Sequence, residues 1–77
     1  MRGIRLSHGV TFIECDGATL RISANGKCEI SPVSFASLEW ELRTEKPEKW
    51  EYITTGEAMS IIDDKREQIS EVLSKRK

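Results

Sequence analysis

Few residues in this chain are of a type that does chemistry, and their spacing limits what that chemistry can be. The single histidine, His8, stands beside Gly9 in a turn-like stretch, with no nucleophile and carboxylate marked around it. General-base work needs such partners within hydrogen-bond reach. Two cysteines, Cys15 and Cys28, complete the soft ligands. A structural zinc site takes four ligands, commonly announced by CxxC, and no CxxC occurs, so neither a metal nor another cofactor is expected. No GxSxG, phosphate-cradling glycine loop or HExxH is present. The carboxylate pairs Glu39/Glu41 and Asp63/Asp64 fit an exposed strand face and a helix start better than acid–base catalysis. The expectation is a protein that is not an enzyme.

The charge pattern says more. Residues 33 to 57 carry Glu39, Glu41, Glu45, Glu48, Glu51 and Glu57 against Arg43, Lys46 and Lys49, a net charge of −3. The first nine residues are +2 and the last twenty +1. An acidic middle can dock on a basic partner. Two tryptophans lie within it, and aromatic side chains are enriched at interface hot spots and in small cores alike. Trp40, on an alternating apolar face, reads as core. Trp50 follows a charged loop and reads as either. The candidate partner-binding residues are therefore Glu39, Glu41, Glu45, Glu48, Trp50, Glu51 and Glu57.

The chain has 77 residues, enough for one small domain, 1–77, that buries only about 60% of its unfolded surface. Twelve Lys+Arg balance thirteen Asp+Glu, which argues against a generic nucleic-acid or membrane-surface binder. No apolar run approaches the roughly 20 residues that span a bilayer. The first ten residues lack the apolar core of a signal peptide, so the expected compartment is the cytoplasm, with both thiols reduced.

Glycine-bearing turns must position these residues. Asp16-Gly17 separates Val10–Cys15 from Ala18–Ser23, an Asp-Gly pair of the kind that makes a type I′ hairpin turn. That loop sets Cys15 opposite Ala18, Ile13 opposite Leu20 and Thr11 opposite Ile22. A three-residue loop, Ala24-Asn25-Gly26, sets Ile22 opposite Cys28 and Leu20 opposite Ile30, with Gly26 as a left-handed bulge residue. The two cysteines then share a face on outer strands, too far apart for a disulfide. The other face, with Val10 and Phe12 as its apolar exceptions, should be wet, and the segment Ile4 to Leu6 could cover those two.

Pro32 breaks the strand run. In Phe35–Arg43, Ala36, Leu38, Trp40 and Leu42 alternate with Ser37, Glu39, Glu41 and Arg43, which predicts a half-buried strand. A charged loop, 44–49, leads to a short extended segment, Trp50–Ile53. Ile62, Ile69, Val72 and Leu73 recur at helical spacing and predict a helix from about Ser60 to Ser74, with Thr54/Glu57 as a rival, earlier start. The fold expected is α+β: an antiparallel β-meander of about four strands with one C-terminal α-helix packed on one face. That helix should cover Ile13, Leu20, Ile22, Ile30, Leu38 and Trp40.

The Lys49-Trp50-Glu51 triplet, the Gly56-Glu57-Ala58-Met59-Ser60 stretch and the final helix with Ile69 and Val72-Leu73 resemble the immunity protein 74 family of small bacterial toxin-immunity proteins. Tyr52 and Ile53 stand where a proline would follow the tryptophan in that family. The resemblance implies a cytoplasmic, non-enzymatic protein that neutralises a cognate toxin by direct protein–protein contact. Two other readings are a small nucleic-acid-binding or regulatory domain, using Arg2, Arg5, Arg21 and the Lys75-Arg76-Lys77 tail, and a phage-type inhibitor of a host complex. An open meander also leaves an edge through which two copies could pair as a homodimer.

Overall fold

The computed structural model describes residues 2–45 and 49–75. Five strands are formed: β1 (Gly3–Leu6), β2 (Thr11–Cys15), β3 (Ala18–Ile22), β4 (Cys28–Ile30) and β5 (Trp50–Ile53). They make one antiparallel sheet in the order β4-β3-β2-β1-β5. Three helices complete the described chain: α1 (Phe35–Glu45), α2 (Thr55–Asp64) and α3 (Arg66–Ser74).

The two glycine turns set the registers as expected. Asp16 (φ 52°) and Gly17 (φ 76°) take the two left-handed positions of a type I′ turn, and Ile13 faces Leu20. Gly26 (φ 93°) closes the three-residue loop, Ser23 N–H donates to Lys27 C=O, and Leu20 faces Ile30. Trp50–Ile53 joins the sheet as an edge strand. Cys15 and Cys28 are both free.

Several expectations are corrected. The sheet has five strands instead of about four: Ile4 to Leu6 pairs with β2 as part of β1 rather than lying over it, and Trp50–Ile53 pairs with β1 as β5. The segment Phe35–Arg43 is not a strand but most of α1. Read every third or fourth residue, Phe35, Leu38 and Leu42 make one stripe, and Ser34 caps it by accepting the Ser37 N–H at 3.2 Å. Thr44 and Glu45 belong to the same helix rather than to a loop. Strand alternation needed Trp40 inside, but Trp40 faces solvent at 66% exposure. The face expected to be wet stays wet toward β4, where Lys27 and Glu29 are exposed, and is dry over β1 and β2. Ile4, Leu6, Val10, Phe12, Phe35 and Leu42 form a core there, with Leu38 and Trp50 packed against it.

The opposite face carries the core foreseen from the registers. Ile13, Leu20, Ile22, Cys28, Ile53, Ala58 and Ile69 are buried together, with Ile30, Ile61, Ile62 and Leu73 at its margin. Leu38, expected there, is on the inner stripe of α1 and packs against the core of the other face. The C-terminal segment is two helices, not one from Ser60. Thr54 caps α2, accepting the Glu57 N–H at 3.1 Å, so the rival start is the real one. Lys65 (φ −111°, ψ 23°) then breaks the helix. Asp63 and Asp64 thus close α2 rather than open a helix. Helices therefore cover both faces of the sheet, not one. Gly3 lets β1 and β5 approach: a Cβ there would meet Ile53 Cγ1 at 2.6 Å.

Candidate functional site

The residues expected to bind a partner divide among three elements. Glu39, Glu41 and Glu45 lie on α1, where helix spacing replaces the single strand face assumed for the first two. Trp50 and Glu51 lie on β5, and Glu57 in the first turn of α2. Glu48 lies outside the described residues.

Much of the acidic character is spent inside the fold. Glu39, with 19% of its side chain exposed, accepts a hydrogen bond from the Tyr52 hydroxyl and one from Arg2 at 3.3 Å, and Arg43 lies 4.0 Å away. The Tyr52 bond, then the two guanidinium charges, hold its carboxyl below the usual carboxylate range. Arg2 also bonds Glu14 at 3.2 Å and lies 4.7 Å above the Phe35 ring. The Glu14 bond, the largest influence on Arg2, holds its guanidinium still more firmly protonated. Through Arg2, just ahead of β1, this network laces β2 and β5 to α1. On the other face Arg5 pairs with Glu57 and lies 3.9 Å from Glu51. Among the candidates whose side chains are described, Glu41 is exposed and stands outside these networks.

Of the two tryptophans, Trp40, read as core, is exposed, and Trp50, read as either, packs on the core. Trp50 is half-buried, edge-on to Tyr52 with ring centroids 5.1 Å apart, and packs on the core beneath α1. Trp40 projects from the opposite side of α1, beside Ala36, Ser37 and Glu41, with the exposed Val33 in the turn that leads into the helix. Alternation concealed it. The signal that finds it is the helical stripe itself: once Phe35, Leu38 and Leu42 face inward, residue 40 must face out.

The described cations invoked for nucleic acid are engaged: Lys75 bonds Glu71 at 3.1 Å, while Arg76 and Lys77 lie outside the described residues. Arg2 and Arg5 bind the carboxylates named above, and Arg21 bonds Glu29 and Ser23, each at 3.0 Å. Among the described residues, no three His, Cys, Asp or Glu side chains gather as a metal site, and no helix is long and apolar enough to cross a membrane. Burial pushes the Cys28 thiol up, away from the reactive thiolate. What the surface offers is contact: a large ring for burial on a helix that the core holds from behind, with a carboxylate beside it. Compared with family models, curated proteins and solved structures, the chain matches none.

Proposed function

We propose that this chain is a non-enzymatic binding protein of the immunity type, neutralising a cognate bacterial toxin in the cytoplasm by direct contact, with the outer face of α1 as its docking surface. Trp40 is the centre of that surface and Glu41 its acidic flank, suited to a basic partner. The observation that carries the reading is the 66% exposure of Trp40 on a helix whose opposite stripe is buried. An exposed tryptophan costs solubility and contributes nothing to the core, whereas at an interface such residues dominate affinity. The resemblance to the immunity protein 74 family supports the toxin as the partner and rests on the residues alone.

The test is retention of the product of the neighbouring gene on the purified chain, paired with expression of that gene with and without this one. A complex that forms, and toxicity that appears only when this chain is missing, are expected. Trp40→Ala should weaken the complex by at least about 2 kcal/mol, near thirtyfold in Kd. If the neighbour is neither retained nor harmful alone, the reading fails.

A further inference from the structure

We propose that β5 is a self-association edge, at which a second copy of this chain adds its own β5 antiparallel with Trp50 on the two-fold axis. Among the described residues β5 is the last strand of the sheet and pairs only with β1. Ser7 N–H donates to Lys49 C=O at 3.0 Å. In an antiparallel ladder every second residue bonds the same neighbour. Lys49, Glu51 and Ile53 therefore turn their backbone groups to β1, and Trp50 and Tyr52 turn theirs outward. Such a row of outward N–H and C=O groups is a template for another strand.

Charge chooses both the occupant and the register. Lys49 and Glu51 flank Trp50 with opposite signs and project from one face of the sheet, while Trp50 and Tyr52 project from the other. An antiparallel copy centred on Glu51 would set two carboxylates face to face. One centred on Tyr52 would set Glu51 against Ile53. One centred on Trp50 sets Lys49 opposite Glu51 twice over, by symmetry. These are non-hydrogen-bonded pairs, the closer kind, where opposite charges stabilise and like charges repel. Each Glu51, 69% exposed, would then lie between Arg5 of its own chain and Lys49 of the other. On the opposite face the two Trp50 rings meet across the axis. The segment is thus complementary to itself, which a second copy satisfies without any further partner.

Sedimentation equilibrium over a concentration series tests this, with melting curves as the folding control. The wild-type mass should rise from 8.8 kDa toward twice that value as concentration increases. Glu51→Lys and Lys49→Glu should each weaken association at least tenfold, and the double variant K49E/E51K should restore it. A mass of one chain at every concentration overturns the proposal. So does a dimer indifferent to the single charge reversals, or a double variant that stays monomeric. Should a charge reversal disturb folding, wild-type chains decide. In a mixture of ¹⁴N- and ¹⁵N-labelled protein, a carbodiimide should join Lys49 of one isotope to Glu51 of the other. A crosslink found only within single-isotope chains refutes the register.

Discussion

The two faces of the sheet are closed by different means. On the face beneath α2 and α3 the seal is mainly aliphatic: Ile13, Leu20, Ile22 and Ile53 from the strands meet Ala58 and Ile69 from two helices, with Arg5 paired to Glu57 at the edge. On the other, one helix suffices for the core, and polar lacing holds its rim, from Glu14 through Arg2 and Glu39 to Tyr52 and Arg43. The first arrangement spreads its helical contacts over two elements. The second leaves one helix with a whole side free, and that side carries Trp40. The difference is that both faces supply stability, while the laced face also leaves one side of a helix turned outward.

Core truncation should have the largest effect and tests whether the two faces are one unit. Phe35→Ala should cost about 3–5 kcal/mol and Leu20→Ala about 2–5 kcal/mol, against a total stability of a few kcal/mol for so small a domain. Urea titrations followed by tryptophan fluorescence and by far-ultraviolet circular dichroism should coincide for the wild type. Transitions that separate would mean that α1 detaches on its own and that the faces are independent.

A middle-sized effect should separate the tryptophans. Trp50→Ala removes a half-buried ring from the laced face and should cost about 1–3 kcal/mol. Trp40→Ala should change stability by no more than about 0.5 kcal/mol. If the two losses are equal in thermal melts, Trp40 is a structural residue and the division of the helix into inner and outer sides is wrong.

The smallest effect concerns the lacing. Tyr52→Phe removes the hydroxyl donated to Glu39, and the Glu39 carboxyl should move up toward the ordinary range in an NMR titration. The sign follows from linkage. A carboxyl depressed in the folded state stabilises it above the ordinary carboxylate pKa, and that contribution is lost as pH falls through the folded value. The wild type should therefore lose more stability than the variant between neutral pH and acid. Parallel losses would remove Glu39 from the network.

The hairpins were legible because their information is local. Asp16-Gly17 and Gly26 demand left-handed backbone, and once the bends are placed, alternation decides which residues share a face. The same alternation misled at Phe35–Arg43. Eight residues can satisfy a period of two and a period of 3.6 at once, and Ser34 as a cap was the overlooked arbiter. The acidic candidates suffered from a different limit. Their count along the chain was right, but which of them an arginine from the first strand would neutralise depends on pairings tens of residues apart, such as Arg5 with Glu57.

By itself the order of residues determined the α+β class, the three-strand registers, the aliphatic row Ile13–Leu20–Ile30 and the helical C-terminal third. All of these follow from turn chemistry and periodicity within short windows. Tertiary structure decided that residues 35 to 45 coil, that β1 enters the sheet between β2 and β5, and that Trp40 rather than Trp50 faces water. The physical reason is that an apolar strand face left open by the hairpins must be covered by something. The element that covers it is chosen by what fits from across the molecule, not by its own pattern alone.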